Sequence, residues 1–205
     1  MQKNSIQFFG LPGSGKTSLL NSLVQNYPEK YQLIPKFSRS ERFKLALEFS
    51  LRFPKVFFVF SYLIFRNDIR LWSYISHLVS QSFAGHMYAI KHRSEKKLFL
   101  IDEGILQRLL SVAPAEFSVR ETKRLIEMQN IFLSLPIIVK GGDFGRFVSE
   151  PDRMNSYRNR LGPDYFNRWS QNMLKNFKNI SLQIHGAPVA EKGSSADDLH
   201  RSINS

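Results

Sequence analysis

The chain has 205 residues, 42% of them hydrophobic and 22% charged, which allows one domain with a real core and excludes disorder as a global description. Its 29 Lys and Arg against 17 Asp and Glu leave a formal charge of +12, which favours anionic partners such as nucleotides, nucleic acid or an acidic membrane surface without choosing among them. There is no cysteine, so disulfides and thiolate metal sites are excluded and a cytoplasmic location is expected.

The first stretch, "SIQFF", reads as an apolar strand ending at Gly10. No secretory signal is expected, because cleavage after so short an apolar run would destroy the motif that follows. From Lys16 to about Gln25, Leu19, Leu20, Leu23 and Val24 recur at helical spacing. "YQLIPKF" predicts a short or edge strand, because Pro35 cannot donate to a sheet ladder. Residues 40–92 predict helix in three pieces, with a break at Pro54 and a cap at Asn67-Asp68. The apolar run "VFFVFSYLIF" within them is about half of the roughly 20 residues a membrane span needs. No transmembrane segment is expected.

"KLFLIDEG" predicts a buried strand ending in acids, and "ILQRLLSVA" a helix. A second helix is expected over "SVRETKRLIEMQNIFLSL", with Val119, Leu125, Ile126 and Ile131 on one face. "PIIVKGG" reads as a strand, "GPDYFNRWSQNMLKNF" as a helix opened by proline, and "ISLQIHG" as a last strand by its alternation. "GAPVAEKGSS" is expected as loop, and "SADDLHRSIN" as a short helix capped by Ser195 and Asp198. The order of elements predicts an α/β fold: one domain over residues 1–205, with a parallel sheet covered by helices on both faces. In such a sheet ligands sit outside the carboxyl ends of the strands.

Two motifs fall at such ends. Gly10, Gly15, Lys16 and Thr17 satisfy G-x-x-x-x-G-K-[ST] between a strand and a helix. A glycine-rich turn aims backbone N–H groups at phosphate oxygens and feeds the positive end of a helix. Gly10, Pro12, Gly13, Ser14, Gly15, Lys16, Thr17 and Ser18 are the candidate phosphate-binding residues. Lys16 would reach the β- and γ-phosphates, and the Thr17 hydroxyl would hold Mg²⁺. Asp102 follows four apolar residues and is the second candidate Mg²⁺ ligand, or a cap of the next helix. Glu103 is a candidate to orient water or take a proton from an acceptor hydroxyl, or a first-turn glutamate favouring the helix dipole.

The turn at 10–17 together with "FLIDEG" and "ILQR" resembles the adenylate- and thymidylate-kinase-like superfamily of phosphate-loop proteins. The resemblance implies a three-layer fold with a five-stranded parallel core, ATP with Mg²⁺, and a mobile arginine-bearing lid. The chain departs from the better-known members in two places. Asp102-Glu103-Gly104 stands where an Asp-Arg-Tyr or Glu-Arg-Ser tripeptide is usual, and the second strand carries no glutamate. Both departures argue against a nucleoside acceptor.

By the same resemblance the lid falls at about residues 141–163. Arg146, Arg153, Arg158, Arg160 and Arg168 occur in or near that segment, with Arg153, Arg158 and Arg160 as candidate clamps on the transferring phosphoryl group. The acceptor side falls in the helical segment at about residues 39–92 and just before it, with Lys36, Arg39, Arg42 and Arg108 as candidate contacts for an anionic acceptor. The many phenylalanines there are read mainly as core. An apolar acceptor, or peripheral contact with an anionic membrane, is the second reading. The functional expectation is an ATP-dependent kinase for a nucleoside, nucleotide or sugar-type small molecule. An ATPase with Glu103 orienting water, and a nucleic-acid end kinase or binding protein, are the alternatives. No N-K-x-D or D-x-x-G motif supports a GTPase.

Overall fold

The computed structural model describes residues 4–113, 115–129, 134–142, 144, 162–184 and 186–204. Five strands form one all-parallel sheet: β1 (Ser5–Gly10), β2 (Tyr31–Leu33), β3 (Leu98–Ile101), β4 (Ser134–Lys140) and β5 (Val189–Glu191), in the order β2-β3-β1-β4-β5. Among the described residues there are eight α-helices: α1 (Lys16–Asn26), α2 (Arg39–Arg52), α3 (Pro54–Phe65), α4 (Trp72–Lys91), α5 (Ile105–Val112), α6 (Val119–Gln129), α7 (Pro163–Gln183) and α8 (Ala196–Asn204). None is long and apolar enough to cross a membrane.

The strand pleat sorts side chains between two hydrophobic clusters. Ile6, Phe8, Ile137 and Val139 join α1 and α8, whereas Phe9 and Ile138 join the larger cluster built by α2 to α7. Helices therefore cover both faces of the sheet, as expected. Pro35 lies just beyond β2, which is a three-residue edge strand.

The helical segment breaks where its sequence signals do. Ser38 and Glu41 form a reciprocal capping box at the start of α2, and Pro54 is the first residue of α3. Asp68 accepts from the Arg70 backbone N–H at 2.9 Å and caps a short 3₁₀ turn (Ile69–Leu71) that runs into α4. α8 is capped by Ser195, as its sequence predicts.

Three expectations are corrected. The "ISLQIHG" stretch is not a strand: α7 continues to Gln183. Ile180 and Ile184 fit both a period of two and a helical period, but Leu182 separates the two patterns and is 67% exposed. Upstream, Trp169, Met173 and Asn176 are buried on the same helical face. The last strand is instead β5, inside the stretch expected as loop, with only Ala190 buried in its three residues. In α6, Val119 is 76% exposed, and the inward face is Thr122, Leu125 and Ile126. Ile131 lies outside the described residues.

Candidate functional site

The strand order puts β1 at the centre, with β3 on one side and β4 on the other. The crevice at their carboxyl ends is where a doubly wound sheet binds ligands. The turn after β1 is built for close approach. Gly13 and Gly15 have φ of 79° and 91°, and the Ser14 N–H donates to the Leu11 carbonyl at 3.2 Å. Gly15 is the N-cap of α1, with no side-chain cap and no acid in the first turn. The amino end of α1 therefore keeps its positive field for a ligand. Ser18 is exposed in that first turn.

Two glutamines pin this turn to α5. The Gly10 N–H donates to Gln107 Oε1 at 3.1 Å, and the Leu106 N–H donates to Gln7 Oε1 at 3.3 Å. Both glutamines are buried. These bonds fix the Asp102-Glu103-Gly104 turn against the turn after β1. There the Thr17 hydroxyl donates to Asp102 Oδ2 at 2.8 Å. The Lys16 ammonium folds back and donates to the Gly10 and Leu11 carbonyls, each at 2.9 Å. Burial pushes Lys16 down from 10.5 to about 8, against the pull of Asp102 and Glu103. Burial also raises the Asp102 carboxyl above the usual aspartate range, with the nearby Glu103 charge adding to the rise and the Thr17 hydrogen bond and Lys16 opposing it.

The acceptor candidates separate into two groups. Lys36, Arg42 and Arg108 line a cleft of about 530 Å³ that also contains Asp102 and Glu103. Arg39 lies next door, in a second depression that shares Arg42. Arg108 is 3% exposed; it pairs with Glu103 and donates from Nε to Ser82 Oγ at 3.1 Å, while the Ser82 hydroxyl donates to the Glu103 carbonyl at 2.6 Å. Its position on α5 thus orients Glu103 as well as lining the cleft. The lid candidates Arg146, Arg153, Arg158 and Arg160 lie outside the described residues, and Arg168 is exposed on α7.

Four residues that were not among the candidate site residues shape the site. Gln7 and Gln107 are the pins described above. Gly142, at φ 88°, lies against the turn after β1: a Cβ there would stand 2.5 Å from the Gly13 carbonyl oxygen. Lys192 follows β5 and runs its side chain past Gly15 and Gly141. The Gly141-Gly142 pair was the one available signal. Gly142→Ala is expected to cost about 1–3 kcal/mol through strain at positive φ and displacement of Gly13. A thermal melt of the variant checks this.

The turn could hold a phosphate chain together with Mg²⁺. Ser14 Oγ is buried in the turn without a hydrogen-bond partner, and side chains are excluded at Gly10 and Gly142 by backbone within 2.5 Å. Thr17 and Asp102 already converge as two oxygen donors, a set suited to a hard cation that retains water. Comparison with protein-family models, curated proteins and solved structures found no match.

Proposed function

We propose that the protein is a phosphate-loop kinase that transfers the γ-phosphoryl group of ATP, with Mg²⁺, to a small anionic acceptor. The observation that carries this reading is the arrangement of two compartments around one acidic turn. Asp102 meets Thr17 on the side of the glycine turn, and the same Asp102-Glu103 pair opens onto a cleft lined by Lys36, Arg42 and Arg108. Hydrolysis needs room only for a water, whereas transfer needs a second site within reach of the first.

The roles follow from the chemistry of the residues. The N–H groups of residues 13–18 and the Lys16 ammonium would hold the β- and γ-phosphates, and Thr17 and Asp102 would hold Mg²⁺. When bound, that ion neutralises phosphate charge. Glu103, oriented by Arg108, faces the acceptor cleft and would accept the proton of an acceptor hydroxyl. Gln7 and Gln107 position the turns without touching substrate.

Incubation with MgATP, alone and with pools of nucleosides, nucleotides, sugars and small organic anions, tests the reading. ADP formation that depends on an added acceptor is the expected result, with Glu103→Gln lowering it about 10²-fold. Vigorous ADP formation without any acceptor, lost in Glu103→Gln, would replace kinase by ATPase. The Asp102-Glu103 adjacency is what favours that second reading.

A further inference from the structure

Three depressions follow one another away from the Asp102-Glu103 turn. The acceptor cleft reaches Arg42. Arg42, Phe43 and Ser80 line the next, of about 540 Å³, and Phe43 and Ser80 also line a third, of about 650 Å³, between α2, α3 and α4. That third groove is walled almost wholly by apolar side chains, Leu47, Leu51, Phe57, Phe58 and Trp72 among them. Phe43, Leu51 and Phe58 are 69%, 75% and 68% exposed. Contiguous apolar surface of this kind marks a binding face. α3 sends Val56, Phe60 and Leu63 into the core and still presents Phe57, Phe58, Tyr62 and Phe65 outward.

The charges are graded along the same line. Lys36, Arg39, Arg42 and Arg108 gather at the polar end. The acids of α2 are already engaged: Glu41 in the Ser38 capping box and Glu48 with Lys91 at 2.7 Å. The line thus runs from a reacting turn, through cations, into an aromatic groove. A small nucleoside or sugar would leave the groove unused.

We propose that the acceptor is an anionic amphiphile: its phosphate or carboxylate head sits at Lys36, Arg42 and Arg108, and a single acyl- or isoprenoid-type chain passes Phe43 into the groove between α2, α3 and α4. This rests on the kinase reading and names its substrate class. In the transfer, a head-group oxygen bonds to the γ-phosphorus as the bond from that phosphorus to the bridging oxygen breaks, and ADP leaves with the electron pair. Where the attacking oxygen is a hydroxyl carried beside the anionic group of the head, its proton passes to Glu103.

The test uses the full chain and alkyl phosphates of eight to twelve carbons (the probe lengths), below their micelle-forming concentrations. Trp72 lines the groove and Trp169 is buried elsewhere, so quenching of Trp72 by chain-end-brominated alkyl phosphate reports occupancy. Affinity is expected to rise about fourfold per added methylene. Leu51→Asp and Phe58→Asp, at exposed positions that tolerate a polar side chain, should remove that dependence. Arg42→Ala should remove the preference for alkyl phosphate over a neutral alkyl glycoside of equal length. Circular dichroism and MgADP affinity serve as controls. Three results would overturn the inference: affinity independent of chain length, binding to anionic vesicles only, or a groove covered by a second copy of the chain in sedimentation. Retained MgADP binding in any of these cases leaves the kinase reading standing, and its absence removes both.

Discussion

Lys16→Ala is expected to weaken MgADP binding by about 2–5 kcal/mol, roughly 30- to 5,000-fold in Kd, while leaving the fold intact. The ammonium is held by two carbonyls of the turn and lies where burial lowers its affinity for a proton to about 8. It is an uncomfortable group in the ligand-free protein, and a triphosphate would relieve it. The sign of the stability effect follows. Between pH 8 and 10.5 the unfolded chain keeps a proton that the folded chain has released, so stability rises with pH through that window. Below pH 8 the full penalty of burying the charge is present. The alanine variant should therefore be more stable than the parent at pH 7, by about 1–2 kcal/mol after the two lost hydrogen bonds are allowed for. That advantage should fade by pH 10.5. Binding has the opposite slope: with charged Lys16 required, MgADP affinity falls as pH rises above about 8, and proton uptake accompanies binding there. Isothermal calorimetry in buffers of different ionisation enthalpy, with thermal melts at several pH values, checks both. A variant that binds MgADP as the parent does would remove the phosphate-cradle assignment.

Asp102→Asn is expected to lower MgATP-dependent turnover by about 10²–10³-fold and to blunt the response to added Mg²⁺. The asparagine can still accept the Thr17 hydroxyl, so folding should survive, and the variant also sheds a carboxylate whose burial raises its proton affinity. Burial raises its proton affinity above that of an ordinary aspartate, so as pH falls activity should decline before an ordinary aspartate would protonate. Bound Mg²⁺ should shift the decline to lower pH. A Mg²⁺ titration of turnover at two pH values reads both effects. An unchanged Mg²⁺ response would leave Asp102 only as the structural partner of the Thr17 hydroxyl, because the next helix has Gly104 as its N-cap and no side-chain cap.

The parts legible in the sequence are those decided within a few consecutive residues. The strand–turn–helix at Gly10 to Thr17, the apolar run that Asp102 terminates, the breaks at Pro54 and Asp68, and the cap at Ser195 all depend on backbone freedom, side-chain period and local hydrogen bonds. Element order then implied the parallel sheet and helices on both its faces. Lys36, Arg42 and Arg108 could be named as cations near the acceptor side, but not their arrangement: only packing brings them into one cleft with Glu103 and buries Arg108 between Glu103 and Ser82. Gln7 and Gln107 look unremarkable in the chain because their partners lie about a hundred residues away. The end of α7 was misread because Ile180 and Ile184 fit two periods at once, and only their burial with Leu182 left outside decides between them. β5 is too short to announce itself and exists because β4 offers it an edge. The line from the acidic turn through Arg42 and Phe43 to the aromatic groove is likewise tertiary. Local order is written by neighbours in sequence, whereas a site is written by which surfaces the sheet and helices bring together.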